Sequence, residues 1–423
     1  MIWQIDTEAA MEILNERDLI YDWNNHDGAW RPGKAIEFDD ETLRDGLQSP
    51  SVTDPPIVDK IRILHFMHEL GIQAANIGLP GAGPRAKADV MALANEIVQS
   101  KLRIFPNCAA RTMEADIIPI AETVQQVGIP IEAATFIGSS PIRQYAEEWN
   151  LDFLLRTVEK AVTFVVKQGL PSMFVTEDTI RSHPNDIRAL YSTAVNCGAK
   201  RVVCCDTVGH ATPSGVKALI RFVSDVVHAI DPEVKVDWHG HKDRGLSIIN
   251  TLSAIEAGAD RVHGTMLGIG ERVGNTPLDL ILVNCKLLGW IDNDLTALKA
   301  YCDLVSRACE VPIPSNYAVM GRDAFCTGTG VHAAAIAKAK KKGQDWLADR
   351  VYSGVPASWF GLKQKIEIGH MSGESNVIYW LAEHGYEPKR IWVETIFSKA
   401  KTMNRNLTDE EIRAIIDTTK VQR

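Results

Sequence analysis

With 423 residues, 45% of them hydrophobic and 23% charged, the chain has the composition of a globular enzyme and no signature of disorder. A net charge of −9 argues against a nucleic-acid surface, and the one basic run, Lys338 to Lys342, reads as a solvated helix face, with a polyphosphate tail as its other conceivable contact. No apolar stretch approaches the roughly 20 residues that span a bilayer, and the eight cysteines form no CxxC pair and read as reduced, buried side chains, so a cytoplasmic location and no membrane contact are expected.

Residues 1–34 read as an N-terminal segment, a helix followed by the Gly- and Trp-containing connector Trp23 to Gly33. From there to residue 294, short β-rich stretches alternate with helical ones. The predicted strands are Ala35 to Phe38, Ala74 to Gly78, Arg103 to Asn107, Glu132 to Ile137, Ser172 to Val175, Arg201 to Cys205, Val234 to Trp238 and Arg261 to Thr265. The stretch from Leu151 to Lys167 shows the helical period best, with Leu151, Leu154, Leu155, Val158, Ala161, Val162 and Val165 spaced by three and four. Glycines 71, 128, 169, 198 and 258 fall where helix C-caps are expected. This rhythm demands parallel strands with right-handed crossovers, and eight such units close into a (β/α)8 TIM barrel. A doubly wound sheet is the rival, but no Gly-x-Gly-x-x-Gly follows the first strand. Beyond residue 295 the strand rhythm disappears, and 295–423 reads as a mostly helical C-terminal extension with helices near Asp294 to Cys309 and Ala333 to Lys342.

A barrel gathers the C-terminal ends of its strands, and the loops after them, at one face. There Arg44 and Asp45 would follow strand one, Glu177 strand five, Asp206 and Thr207 strand six, and His239 and His241 strand seven. Alternation sends His239 and His241 to the same side. With Asp45 they would offer one carboxylate and two imidazoles to a divalent cation, and this oxygen–nitrogen donor set admits Mg, Mn or Zn.

Four phrases in order over some 240 residues carry a resemblance: Asp40-Glu41-Thr42-Leu43-Arg44-Asp45-Gly46-Leu47-Gln48, Asp206-Thr207-Val208-Gly209-His210-Ala211-Thr212-Pro213, His239-Gly240-His241, and Gly268-Ile269-Gly270-Glu271-Arg272-Val273-Gly274-Asn275. They resemble the metal-dependent barrel family of 2-isopropylmalate synthase, homocitrate synthase, citramalate synthase and 3-hydroxy-3-methylglutaryl-CoA lyase. Gly328-Thr329-Gly330-Val331-His332 is similar to an element in the C-terminal extension of the synthase branch.

The resemblance implies a Claisen-type condensation of acetyl-CoA with a 2-oxo acid, of the 2-isopropylmalate synthase kind, in a homodimer. It implies Asp45, His239, His241 and Asn275 as metal ligands, Arg44, Glu177 and His332 as catalytic residues, Gln48 and Thr207 as substrate contacts, and Gly268 and Gly270 as places where the backbone approaches CoA. Departures from the family's pattern lie after strand two, where Asn76-Ile77-Gly78-Leu79-Pro80 lacks a carboxylate that some members use, and after strand four, where a frequent histidine is replaced near Ala134 and Arg143 stands where histidine is common. An inward-facing Arg143 would bind a second anionic group on the substrate; a surface role is its alternative. The glycine-rich loop lacks the cysteine that lyases carry, which favours synthesis over cleavage. A homologue that binds metal and ligand without turnover is the reading from another class. The extension is too short for both linking subdomains and a full leucine-regulatory domain.

Overall fold

A computed structural model describes residues 15–26 and 28–421. Eight parallel strands close into a barrel in sequence order: β1 (Glu37–Asp40), β2 (Ala74–Asn76), β3 (Phe105–Arg111), β4 (Glu132–Gly138), β5 (Ser172–Glu177), β6 (Arg201–Asp206), β7 (Lys235–Gly240) and β8 (Arg261–Gly264), with β8 closing against β1. Each expected strand is present, displaced by a few residues at most. The largest displacements are at β1, which is built from Glu37, Phe38, Asp39 and Asp40, and at β3, which runs on through Ala109 and Ala110.

Outward-facing side chains of the strands, among them Phe38, Phe174, Val202, Val236 and Trp238, are buried beneath the surrounding helices. Helix Leu151–Lys167 shows why such a segment is helical. Its N-terminal Asn150 side chain accepts the Phe153 amide at 2.9 Å, and Leu154, Val158, Ala161, Val162 and Val165 bury one stripe. Helix Glu114–Val127 ends at Gly128, whose φ of 81° lets the chain turn back toward β4.

The inward faces carry buried charge beside an apolar cluster of Ala134, Met173, Val203 and Cys205. Where the strands begin, Arg201 meets Asp237 at 2.6 Å and Glu37 at 2.9 Å, while Arg261 meets Glu132 at 2.9 Å and Glu37 at 3.1 Å. One step higher, Asn107 donates to Asp39 at 2.8 Å, and His263 lies 3.2 Å from Asp237.

The chain divides into two compact units. The barrel unit holds residues 32–324 and 359–361 and so extends past the expected boundary at 294. The reason is helix Leu298–Ala308: Tyr301 is buried, stacks on Phe66 at 5.6 Å and donates a hydrogen bond to Asp40 on β1 at 2.8 Å. The second unit comprises the described residues up to 31, residues 325–358 and those from 362 onward. It is mostly helical, with helices Gly330–Lys341, Glu374–Glu383, Arg390–Lys401 and Asp409–Val421 and a short parallel pair, β9 (Cys326–Thr327) with β10 (Lys365–Ile366). One of its cores gathers Val377, Trp380, Leu381, Val393, Ile396, Leu407 and Ile412. Of the expected N-terminal helix, Glu16–Leu19 is described, and residues 1–14 lie outside the described residues. Among the described residues no helix is long and apolar enough to cross a membrane, and the eight cysteines are free.

Candidate metal and substrate site

A cavity of about 220 Å³ opens where the strands end, lined by Arg44, Asp45, Gln48, Glu177, Thr207, His239 and His241 among others. Seven of the twelve expected site residues therefore share one space. Its volume is below the ~300 Å³ lower bound for drug-sized ligands, so it suits a small acid and not a whole coenzyme.

His239 and His241 flank Gly240 at the end of β7, where the strand period turns both rings inward with centroids 5.2 Å apart. Asp45 comes from the short helical turn after β1, and its Oδ2 lies 3.5 Å from His239 Nε2 and 3.8 Å from His241 Nε2. Neighbouring ligands on an ion with bonds of about 2.1 Å stand roughly 3 Å apart, so a modest contraction brings the three onto one cation. The surroundings fit such an ion. Burial and the neighbouring His239 push the His241 imidazole down to about 4, keeping it neutral near pH 7, and a neutral imidazole is the form that binds metal. Asn275 is fully buried, its Nδ2 donates to the Ile269 carbonyl at 3.2 Å, and its Oδ1 has no hydrogen-bond partner.

Arg44 is clamped by two carboxylates, with Glu41 at 2.7 Å from Nη2 and Asp45 at 3.2 Å from Nη1. Burial opposes its charge, yet these acids hold it firmly cationic. Glu177 ends β5. Burial raises its pKa above the usual carboxylate value, against the lowering fields of Arg143 and Arg44. Thr207 accepts the Asp178 amide on its hydroxyl at 2.8 Å, and Asp206 accepts the amides of His210 and Ala211, so this acid shapes the loop.

The other five expected residues are differently engaged. Arg143 does not line the cavity: it pairs with Glu147 at 3.0 Å, lies over Trp149 at 5.7 Å and is about half exposed, the surface alternative to a substrate contact. Gly268 has φ 59°, and a Cβ there would meet Lys242, the Asn275 carbonyl and Pro277 within 3 Å. Gly270 is closed in the same way by Asn275. The close packing of their own loop requires both glycines, and neither lines the cavity. Asn275 likewise stands behind the cavity wall, pairing with His241 through the backbone. His332 belongs to the second unit, where its ring stacks on Tyr352 with centroids 4.1 Å apart.

Sequence reasoning overlooked Glu41 and His263. Glu41 Oε2 is 2.7 Å from His239 Nδ1, and its Oε1 is 3.4 Å from His263 Nδ1. Burial resists charge on both. Even so, His239 and Arg44 hold Glu41 well below the usual carboxylate range, and hydrogen bonds to Asp237 and Glu41 raise His263 to about 10. The signal was the period of two: Glu37, Asp39 and Glu41 share a face, as do Arg261 and His263, and β8 pairs with β1. Apolar side chains complete the lining, with Leu79, Ala109, Ala134, Phe136, Met173, Val175 and Val203 around the polar cluster.

The HMGL-like family model matches residues 35–305. Over most of its length the chain is similar to the homocitrate synthase AksA of Methanopyrus kandleri, 29% identical over 391 residues that cover 91% of this chain and 92% of the relative. It is also 30% identical to the 2-isopropylmalate synthase of Halothermothrix orenii over 394 residues, covering 90% and 73% of the two chains. In architecture it resembles the HMG-CoA lyase of Brucella melitensis, with a TM-score of 0.54 at 18% identity over 66% of this chain and all of that one.

Proposed function

Since the chain belongs to the HMGL-like family, we propose that it is an acyltransferase that condenses acetyl-CoA with a 2-oxo acid, of the 2-isopropylmalate synthase kind, and releases CoA with a 2-hydroxy diacid. The observation that supports this most is the convergence of Asp45, His239 and His241 on one cavity that also holds Arg44 and Glu177.

Asp45, His239 and His241 would hold a divalent cation, Mg, Mn or Zn, and Asn275, whose buried Oδ1 has no hydrogen-bond partner, would be a further ligand. When bound, such an ion acts as a Lewis acid on the ketone of a 2-oxo acid. Glu177, kept poised for protonation by burial, takes a proton from the acetyl methyl group. The methyl carbon then bonds to the ketone carbon as the C=O π bond breaks, the alkoxide so formed takes a proton back from Glu177 to become the 2-hydroxyl, and water cleaves the thioester, leaving a carboxylate and the CoA thiol. Arg44 is fixed by its two carboxylates, so its guanidinium faces developing negative charge without reorganising. Gln48 and Thr207 contact the substrate carboxylate, and the apolar wall receives its side chain. Gly268 and Gly270 set the loop that carries Asn275.

His332 serves a partner subunit's barrel, which makes a homodimer part of this reading, and the cytoplasm is its setting. Free-thiol release tests the reaction across 2-oxoisovalerate, pyruvate, 2-oxoglutarate and oxaloacetate, with and without chelator. Release with at least one acid, abolished by chelator and restored by a divalent cation, is expected; no release with any of them removes the proposal.

A further inference from the structure

We infer that Glu41 is a positioning residue of the metal site, a buried carboxylate that fixes His239 and Arg44 at once. The inference rests on the metal-binding reading above and concerns what stands behind the ligands.

An imidazole binds a cation well only when its ring is held with the free nitrogen facing the ion and its other nitrogen donating to an acceptor. His239 meets both conditions. Its Nδ1 is 2.7 Å from Glu41 Oε2, and its Nε2 is the atom that faces Asp45. With an ionised carboxylate as partner, Nδ1 carries the proton and Nε2 presents its lone pair. The other oxygen of the same carboxylate accepts from Arg44 Nη2 at 2.7 Å, so one side chain sets the orientation of a ligand and of the cation beside it.

Glu41 is itself held. It is 3% exposed, and His263 approaches its Oε1 at 3.4 Å while facing Asp237 on the other side at 3.2 Å. Asp237 is in turn bound by Arg201 at 2.6 Å. The chain of contacts thus runs from the charged layer where the strands begin to the ligand His239. A neutral amide at position 41 cannot replace the carboxylate, because it offers one acceptor where two donors converge.

The test is metal affinity and coordination geometry, apart from turnover. Wild type, Glu41→Gln and Asp45→Asn are compared by chelator competition with Mn2+ and Zn2+, by metal stoichiometry, and by the visible spectrum of the Co2+ form. Wild type is expected to bind one cation per chain and Asp45→Asn to bind none. Glu41→Gln should keep the stoichiometry, weaken affinity by about 10- to 100-fold, and shift the Co2+ bands. A purely structural role would lower Tm and leave affinity and spectrum unchanged. If Glu41→Gln does not fold, Glu41→Asp, which retains both acceptor oxygens on a shorter stem, is read by the same affinity and spectrum.

Wild-type affinity and spectrum in the folded variant would overturn the inference. So would two cations per chain in wild type, since Glu41, His239 and His263 would then themselves be ligands. No metal bound by wild type would instead remove the metal-binding reading on which the inference stands.

Discussion

The barrel interior contains two clusters of buried charge, and they differ in how completely they are satisfied. Where the strands begin, each guanidinium meets at least two carboxylates: Arg201 meets Asp237 and Glu37, and Arg261 meets Glu132 and Glu37. Where the strands end, Asp45, His239 and His241 are buried and Arg44 is partly so, yet the buried atoms Arg44 Nε, His241 Nδ1 and Asn275 Oδ1 lack partners among the described residues. Buried polar groups are expensive unless paired, so the saturated cluster accounts for itself as a scaffold. The unsaturated one is incomplete without something else in the cavity.

The largest effect should come from breaking the saturated cluster. Replacing Arg261 with Met leaves the buried Glu132 and the partly exposed Glu37 without this cation, and loss of one partner from a buried pair such as Arg261 with Glu132 costs about 3–5 kcal/mol. Urea unfolding should show that loss, with the metal affinity of the surviving folded protein little changed. Asp45→Asn is the opposite case. Turnover should fall on the order of 1000-fold if the proposed cation is held there, because its Lewis-acid contribution would amount to several kcal/mol. Unfolding should change little, since the substitution also removes one of the crowded carboxylates. If Asp45→Asn destabilised as much as Arg261→Met, the contrast between scaffold and site would collapse.

The same contrast explains what was legible in the sequence. Helices and most strands follow from period and punctuation, and His239 and His241 announced themselves because two imidazoles two residues apart on a strand share a face. Strand β1 was misplaced because Glu-Phe-Asp-Asp looks like a loop; parallel barrel strands are expected to be nearly all apolar. Glu37 fits this strand because cations from β6 and β8 meet it inside the barrel, and a pairing across more than 160 residues leaves no local trace. Glu41 was hidden for that reason. Arg143 was open in the sequence between cavity and surface, and its pairing with Glu147, the cap of the same short helix, and with Trp149 holds it at the surface. The boundary at 294 fell short because the strand rhythm ends there, while Tyr301, by then in a helix, still packs on β1.

A smaller effect on turnover, with the fold untouched, should separate Glu177 from the proposed metal ligands. Glu177→Gln should lower turnover about 100-fold, the lower end of what a positioned acid–base group contributes. Metal binding should be retained, and stability should hold or rise slightly, because burial already disfavours the charged carboxylate. Loss of metal along with turnover would place Glu177 in the ligand set instead.

The smallest effect concerns Asp40, an acid that belongs to neither cluster. It is the last residue of β1, between Asp39 and Glu41, but faces outward, where it accepts the Thr42 amide at 2.9 Å and the Tyr301 hydroxyl at 2.8 Å, with no cation paired to it among the described residues. Burial, reinforced by Asp39 and opposed by those hydrogen bonds, raises its pKa from 3.8 to about 7. The folded chain therefore keeps a proton that the unfolded chain gives up from about pH 4 upward. Stability contributed by Asp40 is full below that point, declines as pH rises toward 7, and is flat above. A shift of about three units sets an upper limit near 4 kcal/mol, and local relaxation reduces the expected loss to the order of 1 kcal/mol. Asp40→Asn should remove this slope, making the variant more stable than wild type at pH 8 and no more stable at pH 4, as read by unfolding at the two values. An unchanged slope would mean that the hydrogen bonds from Thr42 and Tyr301 suffice to hold the ionised carboxylate, and that a buried acid outside the two clusters does not need a cation.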